Sequence, residues 1–398
     1  MTSPVNAFMT REATVPHEVE LPETVHFTAE TIVEYIDDID ALQQIRSEWD
    51  ALTSSFRTPL LTHNWFASCA RAFSYQEQTE ILLVRRQGEM DAIAPLAFRG
   101  KFHRRLEIMG SFVTNEPGGI IFRNRHSLEQ LWEAVFDMKT TVFLKGIRYG
   151  SPEAQALECM LHSRKIRYLA REEQIPWVNT AGKWVDFEKS ISSSRRSSFR
   201  RLRRLAESKG IVVFEVVTPS PENVDGYLNE LFKVEAAGWK GRTGTAMRSF
   251  EALGTFFRTY SRLEAGEGKL RLFFLKVGGQ TIAGQLTVIR ADRLWIFKIG
   301  HDESWSWCSP GILLMNEVIK YCFDSGLESC EMLGSDEPWL HIWTNESHTV
   351  VTYRIYPGVL DALSDLLADF TETISNKVMT RFAKRKGMRK SNADQNTQ

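Results

Sequence analysis

The sequence predicts an α+β protein of two tandem domains, each a mostly antiparallel twisted sheet flanked by helices, with a further helix at the C-terminus. Three observations predict it. The chain has 398 residues, more than one ordinary hydrophobic core needs and enough for two domains of common size. A strand–turn–strand–strand pattern occurs twice, about 190 residues apart. Apolar residues at helical spacing precede each copy.

The elements follow in order. Residues 1–28 are rich in Pro, Thr and Glu with little apolar periodicity, the composition of a leader that cannot repay the entropy of ordering. Leu42, Ile45, Trp49 and Leu52 then fall at helical spacing, and Trp65 to Phe73 forms a second apolar helix face. Glu80 to Phe98 reads as a strand, a tight turn at Gly88 and a return strand, and Leu106 to Gly110 as a third strand. Lys183 to Gly210 opens the second copy. Leu270 to Val288 repeats the hairpin around Gly278 and Gly279, and Leu294 to Gly300 repeats the third strand. A helix and a strand follow, which gives the antiparallel α+β pattern twice.

From Val359 to Phe382 the residues Leu363, Leu367, Phe370, Ile374, Val378 and Phe382 form one stripe ahead of the basic run Arg381 to Lys390. Packing on the body is the expected role of this stripe, with an interfacial membrane helix as the alternative. The predicted division is a leader over 1–28, a first domain over 29–180, a second over 181–356, and the C-terminal helix and basic tail over 357–398.

Composition narrows the partners. Lys plus Arg number 49 against 50 Asp plus Glu, a formal net charge of -1, so nothing global draws the chain to DNA or an anionic membrane. Its five cysteines are odd in number and form no CxxC pair, which argues against a disulfide framework or a metal centre. A cytoplasmic setting is expected, because the N-terminus lacks a signal-peptide pattern and no stretch has the roughly 18 uninterrupted apolar residues of a membrane span. Serine-hydrolase GxSxG, Walker A and GxGxxG motifs do not occur.

The segment with most chemical content runs from Lys298 to Phe323. A strand ends at Gly300-His301-Asp302, and a helix is expected to start at Ser309-Pro310-Gly311-Ile312, with Ser309 as its N-cap and Pro310 in its first turn. The first-turn amides of such a helix suit a pyrophosphate, and Gly311 lets a ligand approach the backbone. Six arginines lie between Arg195 and Arg204; of these Arg200 and Arg204 are candidates for further phosphate contacts, against a reading as a solvated basic face.

The series Gly300-His301-Asp302, Ser309-Pro310-Gly311-Ile312, Gly326 and Glu331-Met332-Leu333-Gly334 resembles the closing block of the CelD-like branch of the GNAT acyltransferases, which carries two fused GNAT-type domains. Trp49-Asp50-Ala51-Leu52, Thr58 to Leu61 with Trp65, and Ser190 to Leu205 followed by Gly210 are similar to other parts of that pattern, and together the matches span roughly residues 35 to 345. The resemblance implies acyl-CoA as cosubstrate, no metal, a small-molecule or saccharide acceptor, and a place in polysaccharide or envelope synthesis. It puts the donor pyrophosphate at Ser309 to Ile312.

Glu235 to Gly244 resembles the family segment in which an acidic residue and a Trp-Lys pair precede a loop. Glu235 and Asp302 are thereby the candidate bases, and Trp239 and Lys240 candidate acceptor contacts. Where relatives carry an aromatic-lysine pair this chain has Trp339-Leu340, so His341 becomes the substitute acceptor contact. Two alternatives stay open: a Fem-type transferase drawing on aminoacyl-tRNA, and a catalytically degenerate scaffold of polysaccharide synthesis. Acceptor, acyl length and oligomeric state are not fixed by the sequence.

Overall fold

The computed structural model describes residues 31–100, 104–238 and 250–358. The leader, the C-terminal stripe with its basic tail, Trp239 and Lys240 lie outside the described residues.

The first half runs β1 (Thr31–Ile36), α1 (Ile39–Gln44), α2 (Arg46–Thr53), α3 (His63–Phe73), β2 (Glu77–Arg86), β3 (Glu89–Arg99), β4 (Arg105–Ile108), α4 (Ser111–Thr114), β5 (Ile121–Phe122), α5 (Arg125–Asp137), β6 (Val142–Arg148), α6 (Pro152–Ser163) and β7 (Arg167–Asn179). The second continues with α7 (Trp184–Ser190), α8 (Ser193–Glu207), β8 (Val212–Val217), α9 (Val224–Ala236), α10 (Glu251–Gly266), β9 (Leu270–Val277), β10 (Gln280–Arg290), β11 (Arg293–His301), α11 (Pro310–Asp324), β12 (Ser329–Glu331) and β13 (Ser347–Tyr356).

The two hairpins expected from the sequence are β2–β3 and β9–β10, and they share a turn. Gln87 and Gly88 have φ of 56° and 82°, and Gly278 and Gly279 have φ of 57° and 85°. Two successive positive φ values define the turn whose twist matches that of its strands, so the repeat is one of backbone conformation as well as of pattern. The helical run around Trp49 is interrupted at Ile45, which closes α1 and opens α2.

One sheet passes through both halves in the order β1-β2-β3-β4-β6-β13-β7-β12-β11-β10-β9-β8, with β5 beside β3. Most of its ladders are antiparallel. The parallel ones, β4 with β6 and β11 with β12, are only two and three residues long. The 13-residue β7 is the hinge of this arrangement, pairing with β13 over Arg167 to Pro176 and with β12 over Trp177 to Asn179. The late strand β13 therefore lies between β6 and β7, inside the first half's sheet.

The halves are joined by aromatic packing. Trp65 of α3 stands 4.8 Å from Phe256 and 5.2 Å from Tyr260 of α10, and 5.4 Å from Phe297 of β11 between ring centres. Each such pair is worth about 0.5–1.5 kcal/mol beyond the area it buries. Along β11 the side chains alternate: Trp295 and Phe297 join this core, while Leu294 and Ile296 face a second core under α8 and α11.

Candidate active site

The site is built around the end of β11. That strand pairs with β12 only over Arg293 to Trp295, although it continues beside β10 to His301. Beyond Trp295 the parallel neighbours part. Just past that point β11 carries an extra residue: Thr287 faces Ile296 and Leu286 faces Lys298, which leaves Phe297 as a bulge. The end of the β12 ladder and the bulge thus fall within two residues of each other on β11.

Helix α9 closes one side of the strand end. A Cβ added at Gly300 would lie 2.8 Å from both Cα and Cβ of Glu235, and one at Gly238 would lie 2.9 Å from the His301 carbonyl oxygen. The glycines thus allow helix and strand to touch at backbone distance. Glu235 is only 2% exposed, enclosed between α9 and β11. Asp302 follows the strand, and its Oδ1 accepts from the Ser304 amide at 2.9 Å and the Ser304 hydroxyl at 2.7 Å. Its carboxylate caps the short 3-10 turn Glu303–Cys308.

At the start of α11 the structure corrects one expectation. Pro310 occupies the first turn, but Ser309 stands at φ 48°, ψ 60° and its side chain makes no capping bond. The left-handed backbone turns the hydroxyl away from the amides that a cap serves, and Ile312 and Leu313 donate instead to the Ser309 carbonyl, at 3.1 and 3.2 Å. Where a Cβ would stand at Gly311, only His301 Nδ1 comes within 4 Å, at 3.6 Å. A side chain at Gly311 would therefore meet little steric hindrance from other elements. Cys308 is buried, its thiol donates to the Trp305 carbonyl and burial pushes its pKa up, so it is poorly suited to act as a thiolate.

Glu235, Asp302, Ser309, Gly311 and Ile312 thus come together at one strand end. Arg200 and Arg204 are exposed on α8, which packs against the 3-10 turn and α11. Of the other arginines in that run, Arg196 is spent on carbonyls: its Nη1 donates to Glu188, Lys189 and Ile191 at 2.9–3.0 Å, closing the end of α7. His341 is elsewhere. It pairs with Asp336 at 3.1 Å and contacts Asn345 at 3.2 Å, on the rim of a cavity of about 560 Å³ shared with Ser192 and Arg195.

Two residues at the site were not singled out from the sequence. Lys298, next to the bulge, reaches 3.8 Å from Glu116 of the first half and stands 4.9 Å from the Phe257 ring centre. A lysine inside the apolar run Leu294 to Ile299 was the available signal. Glu116 offered none, since 182 residues separate it from its partner. Among the described residues no group of three or more His, Cys, Asp or Glu side chains could hold a metal ion, and no helix is long and apolar enough to cross a membrane.

Residues 193–340 match the family described as an acetyltransferase (GNAT) domain. No curated protein sequence matches the chain. Among solved structures the chain is similar to FemX at 13% identity and a TM-score of 0.52, over 81% of this chain and 97% of that one. It is also similar to L-PGS from Bacillus licheniformis, at 16% identity and 0.52 over 81% and 95%. A conserved protein of unknown function from Bacteroides thetaiotaomicron VPI-5482 matches at 12% and 0.52 over 82% and 100%. The mixed α+β architecture expected from the sequence, a large mostly antiparallel sheet flanked by helices, is the one these chains share.

Proposed function

We propose that this protein is a GNAT-type acyltransferase that moves an acyl group, most simply acetyl, from acyl-CoA to an amine or hydroxyl of a polar acceptor. The observation that carries this reading is the conjunction at β11: a ladder that ends at Trp295, a bulge at Phe297 and an open helix start at Gly311, all within the matched segment. We further assign it to the CelD-like branch, with polysaccharide or envelope precursors as the acceptor class.

Ser309 to Ile312 would hold the donor pyrophosphate, with Arg200 and Arg204 of the neighbouring α8 meeting its remaining charge. Acyl-CoA supplies an activated thioester carbonyl. The chain's part is to orient that carbonyl along the parting backbone of β11, to place the acceptor and to take its proton. Glu235, buried where α9 meets β11, and Asp302, just past the strand end, are the candidate bases that would take it.

Calorimetric titration with acetyl-CoA and longer acyl-CoAs tests the reading. Micromolar binding by the wild type that Gly311→Asp abolishes supports it, since an aspartate there sets a carboxylate against the phosphates. No binding of any acyl-CoA sinks it in favour of a charged-tRNA donor or a scaffold role, which titration with aminoacyl-tRNA then separates.

A further inference from the structure

Helix α8 concentrates charge that the chain as a whole lacks. Between Arg195 and Lys209 stand seven cationic side chains against one acidic, Glu207, in a chain whose formal net charge is -1. Two of the arginines are spent within the fold: Arg196 on the carbonyls that end α7, and Arg203 on Glu207 at 3.0 Å. Arg195, Arg200 and Arg201 are exposed, and their side chains make no hydrogen bond or ion pair among the described residues. Leu202 and Ala206 are the buried positions of the helix. At 3.6 residues per turn this sends Arg200, Arg201 and Arg204 outward together.

Exposed apolar side chains border the same helix. Val185 on α7 is 56% exposed, and Ile211, two residues before the first residue paired after α8, is 80% exposed. Val216 of β8 and Trp307 of the 3-10 turn are also exposed, and both of those elements touch α8. Val216 lies on the α8 side of the sheet, because it alternates in step with Phe214, whose ring centre is 5.6 Å from the Arg203 guanidinium. Exposed Trp339 packs edge-on at 6.0 Å against Trp343, whose ring stacks on Phe199 of α8. Scattered single apolar residues are ordinary on a surface. Five of them on the elements that adjoin one basic helix make that surface amphipathic.

We propose that this surface binds the face of an anionic phospholipid bilayer, with the free guanidinium groups of α8 on headgroup phosphates and the apolar side chains around it reaching below them. Both parts of the pattern are needed to choose the partner. Guanidinium groups alone would suit any polyanion. A nucleic acid asks for aromatic side chains interleaved with the cations, to stack on bases. Here three of the five apolar side chains are aliphatic; a phosphate backbone offers them nothing, whereas leaving water for hydrocarbon is favourable. Cations beside exposed Trp, Ile and Val characterise an element that lies in the bilayer interface without crossing it. The surface stands apart from the acyl-transfer reading, which could fail without affecting it.

Co-sedimentation of the full chain with phosphatidylglycerol vesicles tests the proposal, against phosphatidylcholine vesicles and single-stranded poly(U) RNA. Wild type, the double variant Arg195→Gln with Arg201→Gln, and Ile211→Ser are compared, with thermal melts to show that each folds. Arg200 and Arg204, offered above to the donor, stay intact, so acetyl-CoA titrated into the same samples reads the donor site separately. Binding to phosphatidylglycerol but not phosphatidylcholine, weakened about tenfold or more by the arginine pair and about threefold or more by Ile211→Ser, supports the proposal. Binding that both variants leave unchanged overturns it and points to the basic run Arg381 to Lys390. Equal binding to the two lipids, binding to neither, or weakening by only one of the variants overturns it too, as does RNA binding without vesicle binding.

Discussion

Lys298 Nζ lies 3.8 Å from Glu116 Oε1, with the two side chains 15% and 7% exposed, so the strand beside the bulge is tied by charge to a loop of the other half. Removing one partner of a buried pair leaves an uncompensated charge, which costs about 3–5 kcal/mol, whereas removing both costs less. Lys298→Met is expected to lower unfolding stability by about 3 kcal/mol. In Lys298→Met combined with Glu116→Gln, at least 1 kcal/mol of that loss should return. Urea denaturation of the four proteins measures it, and strictly additive losses would show that the two residues do not act as a pair.

Gly300 has a steric reason to be glycine, because its Cβ would stand 2.8 Å from the Glu235 backbone and Cβ. Gly300→Ala must push α9 away from β11, and such overpacking costs about 1–3 kcal/mol. The same displacement moves Glu235, so if Glu235 is the base of the proposed acyl transfer, turnover is expected to fall by about tenfold or more, since a shift of an ångström at a reacting group has effects of that order. Equal stability and equal turnover in Gly300→Ala would mean that the helix end adjusts freely and that Glu235 needs no fixed position.

How much of this was legible in the sequence depends on whether the determinant was local. The hairpins β2–β3 and β9–β10 were, because Gly88 and the pair Gly278-Gly279 mark turns within a few residues of the strands they join. So was the helix after Pro310. The insertion of β13 between β6 and β7 was not, since the pairing of Tyr353 with Ala170 and Leu144 leaves no trace in any one segment. Residue type also fixed Ser309 as a helix boundary without fixing its φ, and φ decided whether its hydroxyl caps.

Stability should fall as pH rises across the neutral range. Glu153, at the start of α6, is buried with no salt-bridge partner among the described residues; burial raises its pKa from the ordinary 4.5 to about 8, although Oε1 accepts from the Ile120 amide at 2.7 Å. Its carboxyl is thus protonated in the folded protein over a range where the unfolded chain has released the proton. The folded state then binds more protons, and its stability decreases with pH between about 4.5 and 8. Glu77 and Glu264, each raised by burial to about 7, act in the same direction. Glu153→Gln keeps an acceptor for Ile120 and removes the titration. Melting temperatures at pH 5 and pH 8 should therefore differ less in this variant than in wild type, and an unchanged difference would refute the assignment.

Ser309 supplies a test of the helix start that is independent of any ligand. Were it a true N-cap, Ser309→Ala would cost about 1 kcal/mol through loss of the side-chain bond. The structure shows no such bond and a left-handed backbone, so Ser309→Ala is expected to change stability by less than about 0.5 kcal/mol. Glycine meets no steric penalty at φ 48°, and relief of that strain is worth about 1–2 kcal/mol, offset in part by the greater freedom glycine gives the unfolded chain. Ser309→Gly should then be neutral or more stable than wild type, by up to about 1 kcal/mol. Denaturant titration of both variants decides it: a loss near 1 kcal/mol in each would restore the capping role and place Ser309 in an ordinary extended conformation.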